Sequence, residues 1–102
     1  MYRLNVSKLA HQDLDKIVSY VAINLASPSA ATDLLNKVAE CYAYLKDNPF
    51  MYAKCQDKQL EEKGCRKVST KSYVLVYKIN ENARTVNILR FFYGAQDYVK
   101  LI

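Results

Sequence analysis

Four side chains in the second half of this sequence have the chemistry to act on a phosphodiester: Arg66, Arg90, Tyr93 and Tyr98. Cleaving a phosphodiester without a metal needs a base for the attacking hydroxyl, an acid for the leaving oxygen and cations for the pentavalent phosphate. Arginine suits the last task because its planar fork matches phosphate oxygens. A tyrosine can stack on a base or give up a proton, but its unperturbed pKa of about 10 makes it a poor base at neutral pH. Lys67, Lys71 and Arg84 add cations that could hold backbone phosphates.

Each of these residues also has a plain structural reading. Arg66 and Arg90 can form salt bridges or lie over aromatic faces. Arg90 interrupts the apolar run "ILRFFY", so its charge requires a partner such as Asp97 or an open concave face. Phe91 and Phe92 read as core or as surface covered by a partner, and with Tyr93, Gln96 and Asp97 they form the expected interface set. Asp97 would order the tail through hydrogen bonds. Tyr73 and Tyr77 should pack within the sheet with their hydroxyls at an edge.

Other chemistries are excluded by composition. His11 is the single histidine and lies among polar residues, which removes histidine triads and His-rich metal sites. Cys41, Cys55 and Cys65 contain no C-x-x-C pair, which argues for reduced structural thiols rather than a disulfide framework or zinc. No metal and no cofactor is expected. The N-terminus lacks the apolar core of a signal peptide and no run approaches a membrane span, so the expectation is a cytoplasmic protein with no membrane partner.

The net charge of +5 is unevenly placed. Basic and acidic residues balance over positions 1–50, and the whole excess falls in 51–102. An anionic partner would therefore meet the second half. Nine tyrosines suit a protein that a partner covers, although tyrosine also fills small cores.

The elements that must position these residues can be read from spacing. A chain of 102 residues predicts one domain, 1–102. Residues 2–6 alternate as a short strand. Ser7 can cap a helix over 8–25, whose apolar residues Ala10, Leu14, Ile17, Val18, Val21, Ala22 and Leu25 share one face. Ser27 and Pro28 start a second helix that "DNP" ends, giving an antiparallel helical hairpin. Residues 50–64 read as a loop with a helical turn near "DKQLEEK". Strands follow at 65–69, 73–79 and 85–93, the middle one nearly continuous in apolar residues as a central strand should be. The predicted fold is α+β: a strand, a helical hairpin, then a three-stranded antiparallel meander, with the helices on one face of one sheet.

These residues, in this order, resemble the RelE/ParE superfamily of toxins from bacterial type II toxin–antitoxin systems. The resemblance runs through "DLDKIVSYV", "SPSAATDLLNKV", "YLKDNP", "GCRKVSTKSYVLVYKI" and "VNILRFFYGAQDY", nearly end to end. It implies a small toxin neutralised by a cognate antitoxin that contributes an extended or helical segment. It also implies operon repression by the complex, with operator DNA met through the antitoxin. RelE-like members cut mRNA in the ribosomal A site without a metal; ParE-like members inhibit DNA gyrase. Many members carry a histidine or further arginine near the closing tail, whereas here Tyr93 stands where a histidine is often seen, and Ala95 and Gln96 stand where basic residues are common. That departure weighs against RNA cleavage. The expected activity is gyrase inhibition. The alternatives are a ribosome-dependent mRNA endonuclease using Arg66, Arg90, Tyr93 and Tyr98, and a degenerate toxin that acts mainly in antitoxin binding and autoregulation.

Overall fold

The computed structural model describes residues 1–52, 54–55, 58–70 and 72–94. Strand β1 (Arg3–Val6) leads directly into helix α1 (Lys8–Ser19). Ser7 forms the cap: its Oγ accepts from the Ala10 N–H at 3.0 Å and donates to the Leu89 carbonyl at 2.9 Å. The expected helix over 8–25 continues only to Ser19 in α-geometry and then widens into a π-helical turn, Tyr20–Asn24. Helix α2 (Pro28–Asp47) starts with Ser27 as cap and Pro28 in its first turn. A 3₁₀ turn, Pro49–Met51, and a short helix α3 (Lys58–Glu62) occupy the expected loop. Strands β2 (Cys65–Ser69), β3 (Tyr73–Asn80) and β4 (Thr85–Tyr93) complete the chain as described.

The sheet has the order β1-β4-β3-β2. The meander β2-β3-β4 is antiparallel as expected, and β1 adds to β4 in parallel, so the sheet is mixed. The helical hairpin supplies the crossover that a parallel pair requires. Strand β3 lies inside the sheet and is buried on both faces, which explains its unbroken apolar run.

Side chains alternate along β3 and so divide the core in two. Tyr73, Leu75 and Tyr77 face α1 and α2, packing with Ile17, Leu34, Val38 and Leu45. Val74 and Val76 face the other way, where Leu60 of α3 joins them with Cys55, Cys65 and Phe92. The hydroxyl of Tyr77 ends inside the protein rather than at an edge, donating to the Pro49 carbonyl at 2.7 Å. All three cysteines are buried thiols. Among the described residues, no helix is long and apolar enough to cross a membrane.

One irregularity decides where the site residues point. Tyr77 pairs with Ile88 but Val76 pairs with Arg90, so β4 carries an extra residue, Leu89. Such a bulge reverses which face later residues take. Val86, Ile88 and Phe91 therefore share the helix-facing core, whereas Arg90 and Phe92 take the opposite face.

Candidate functional site

The site begins where β1 stops covering β4. Their pairing ends at Val6 and Ile88, and the chain turns into α1 there, with the Ser7 N–H bonded to the Ile88 carbonyl at 3.0 Å. Beyond that point the edge of β4 meets α1 instead of a strand. Asp13 of α1 accepts the Phe91 N–H at 3.1 Å, as a strand neighbour's carbonyl otherwise would. The same carboxylate takes Arg90 with both oxygens, Nε to Oδ2 at 2.7 Å and Nη2 to Oδ1 at 3.1 Å. Both side chains are largely withdrawn from solvent, 21% exposed for Arg90 and 12% for Asp13. The guanidinium also lies 4.9 Å from the centre of the Phe92 ring.

This pair forms one wall of a mainly apolar groove of about 460 Å³ between α1 and the end of β4. Ile17 and Phe91 belong to its lining, Lys16 contributes a cation, and Tyr20 meets Tyr93 edge-on with ring centres 5.5 Å apart. Tyr20 is the first residue of the π-helical turn.

Arg66 lies in a different groove, of about 610 Å³, that shares no lining residue with the first. Its Nη1 donates to the Tyr52 carbonyl at 2.6 Å, and its guanidinium sits 5.3 Å from the Phe50 ring. Lys54 and Lys78 line the same groove, with Glu81 and the asparagines of the β3–β4 turn. Lys54 pairs with Arg66 across a short antiparallel bridge that extends the sheet past β2. This groove is polar and positively charged.

The residues expected to act together are thus separated. Arg90 and Tyr93 line the first groove and Arg66 the second. Lys67 shares a sheet rung with Val76 and Arg90, so it flanks β3 opposite Arg90 at about 10 Å between Cα atoms. Arg84 sits in the turn before β4 with φ +50° and its guanidinium 4.6 Å from the Tyr2 ring, and it lines neither groove. Phe91 and Phe92, expected in the interface set, are core side chains, each 2% exposed. Among the described residues Arg90's charge is met by Asp13, and Arg90 also lines the open groove; the expected partner Asp97 falls outside them. Lys71, Gln96, Asp97 and Tyr98 lie outside the described residues.

Sequence reasoning missed Asp13, Lys16 and Tyr20. Asp13 was legible in one respect: it stands beside Leu14, between Ala10 and Ile17, at the margin of the buried helix face.

Tyrosine acidity is shifted in the core and not toward catalytic use. Burial, then the neighbouring Cys41, pushes Tyr42 up to about 12. Burial likewise raises Tyr73 and Tyr77 above the ordinary range. Burial also raises Cys41, partly offset by hydrogen bonds with Tyr73 and Tyr52.

The family described as "ParE toxin of type II toxin-antitoxin system, parDE" matches residues 4–98. No curated protein sequence matches the chain. Among solved structures, the chromosomal ParDE toxin–antitoxin system from P. aeruginosa contains a chain 19% identical to this one. It aligns over 92% of this chain and 97% of its own, with a TM-score of 0.70. The isolated E. coli RelE toxin is 18% identical over 99% of this chain and 93% of its own, with a TM-score of 0.60. A chain of the RelBE2 toxin–antitoxin complex from Mycobacterium tuberculosis is 18% identical over 90% of this chain and 96% of its own, with a TM-score of 0.59. These likenesses concern the fold.

Proposed function

The chain belongs to the ParE toxin family of type II toxin–antitoxin systems, and we propose that it acts in the cytoplasm by binding and inhibiting DNA gyrase rather than by cutting RNA. The observation that carries this reading is the engagement of Arg90. Its Nε and Nη2 are both committed to Asp13, and Arg66 stands in a separate groove. A phosphate in flight between two oxygens needs converging, uncommitted cations. An inhibitor needs a rigid surface, and the Tyr20–Tyr93 groove offers aromatic side chains of the kind enriched at interfaces.

A cognate antitoxin is the second proposed partner, and operator DNA is reached through that complex. Support comes from the relatives, two of which are described as toxin–antitoxin systems. It also comes from exposed apolar side chains on and just after the π-helical turn: Tyr20, which lines the groove, Ile23 (76% exposed) and Leu25.

The test pairs two assays on folded chain. Gyrase supercoiling should be inhibited, and programmed ribosomes carrying a defined mRNA should show no new A-site cuts. Ribosome-dependent cleavage with unaffected supercoiling would overturn the reading in favour of a RelE-like endonuclease. No effect in either assay would leave antitoxin binding and autoregulation as the remaining role.

A further inference from the structure

We propose that Cys55 and Cys65 form a modification site, a cross-strand dithiol that a low-molecular-weight disulfide converts to an intramolecular disulfide. The bridge between Lys54 and Arg66 is antiparallel, which sets Cys55 directly opposite Cys65. The Cys55 N–H donates to the Cys65 carbonyl at 3.1 Å, as such a register requires. A hydrogen-bonded antiparallel pair has Cα atoms about 5.5 Å apart, inside the window of roughly 4.4–6.8 Å that a disulfide spans, and Cβ atoms about 5 Å apart, which must close to about 3.8 Å as the bond forms. Both side chains enter the same buried cluster with Leu60, Val74, Val76 and Phe92. Cys41 belongs to the cluster on the opposite face of the sheet and cannot reach either.

The exchange balances without any further reagent. One cysteine thiolate attacks a sulfur of the small disulfide, forming a mixed disulfide and expelling one thiolate. The second cysteine then attacks the protein-bound sulfur, forming the Cys55–Cys65 bond and expelling the other. The two protein thiol protons end on the two released thiols; the small disulfide is reduced and the cysteine pair oxidised.

Burial sets the rate. Cys55 and Cys65 are 1% and 2% exposed, so exchange proceeds when the short bridge at 54–55 opens. Desolvation raises the Cys65 thiol in the closed state, while Lys78 and Lys63 act in the other direction. Opening relieves the first effect and leaves the cations, which favours the thiolate. The bond would close a loop containing α3 and tether Cys55, next to the groove residue Lys54, to β2. The second groove would thereby be pinned.

The experiment treats the full reduced chain with oxidised glutathione at neutral pH, alkylates the remaining thiols and maps peptides without reduction. The expected product has lost two hydrogens, links the Cys55 and Cys65 peptides, carries alkylated Cys41 and keeps its far-UV circular dichroism. Its Tm should exceed that of the reduced chain by roughly 5–10 °C, and Cys41→Ser should behave the same way. Separate glutathione adducts without a link, a bridge that includes Cys41, a link formed only in urea after the dichroism is lost, or a bridged form melting below the reduced one would each overturn the proposal.

Discussion

Arg90 and Arg66 leave the two strands that flank β3, and each guanidinium lies over a phenylalanine ring, Phe92 and Phe50 respectively. Their charges are treated differently. Arg90 meets a carboxylate through two hydrogen bonds, so the wall it forms is close to neutral. Arg66 meets the neutral Tyr52 carbonyl, and Lys54 and Lys78 stand nearby. A guanidinium clamped by a carboxylate acts first as a structural fastener, because those N–H groups are unavailable to another acceptor. One held by a carbonyl keeps its full charge for a ligand. Equal residue types on the two strands either side of β3 therefore give one groove that is fastened and apolar and one that is open and cationic.

The largest expected effect erases this difference by removing the layer both grooves rest on. Tyr42, Tyr73, Tyr77 and Cys41 all have folded-state pKa values raised above their ordinary values, mainly by burial. An unfolded chain thus releases these protons at lower pH than the folded one. Their contribution to stability is whole below the unfolded values, 9.0 for the thiol and 10.0 for the tyrosines. It is lost as pH rises through the folded values. Urea midpoints should be level on these groups' account up to about pH 9 and fall steadily above it. Tyr42→Phe should make that fall shallower. A midpoint that rises on the alkaline side would contradict the assignment.

Next in size is the fastener itself. Asp13→Ala leaves the Arg90 charge and the Phe91 N–H without their acceptor, and should cost about 2–4 kcal/mol in urea unfolding. Combining it with Arg90→Met should recover part of that loss, because the second change removes the stranded charge. Strict additivity of the two single changes would mean that the pair is not a unit and would collapse the contrast with Arg66.

How this pair escapes the sequence is instructive. The caps were legible, since Ser7, Ser27 and Pro28 act over three or four residues and their signals are local. The continuous apolar run of β3 likewise announced a strand buried on both sides. Arg90 and Asp13 are 77 positions apart, and the tail nearer in sequence offered a more obvious acid in Asp97. The bulge at Leu89 is the further reason. Strict alternation places Arg90 on the face of Ile88; the extra residue moves it to the face of Val76 and lets Phe91 enter the helix-facing core. The π-helical turn at Tyr20 was hidden for a related reason, because its apolar spacing satisfies an ordinary helix equally well.

A smaller effect probes the scaffold of the second groove. Tyr77→Phe removes the donor to the buried Pro49 carbonyl without changing the ring, and should cost about 1–2 kcal/mol. The 3₁₀ turn that it anchors carries Phe50 and leads to Tyr52, the two residues that hold Arg66. The loss should appear in urea unfolding, accompanied by weaker retention of the chain on a polyanion such as heparin.

The smallest effect on stability separates the two arginines most sharply. Arg66→Met loses one hydrogen bond to a main-chain carbonyl and a partly exposed contact with Phe50. It should cost about 1 kcal/mol or less. Its effect on anion binding should be the greater of the two, since it removes charge from between Lys54 and Lys78. Arg90→Met should do the reverse. It strands the Asp13 carboxylate and destabilises the fold, and it lowers the net charge by one as Arg66→Met does, but heparin retention should fall less, because the charge it removes lies outside the groove of Lys54, Arg66 and Lys78. Elution of both variants in a salt gradient, beside their urea midpoints, makes the test. Equal loss of retention would show that Arg90 serves anions despite Asp13, and the fastened groove would then have to be counted as a second cationic surface.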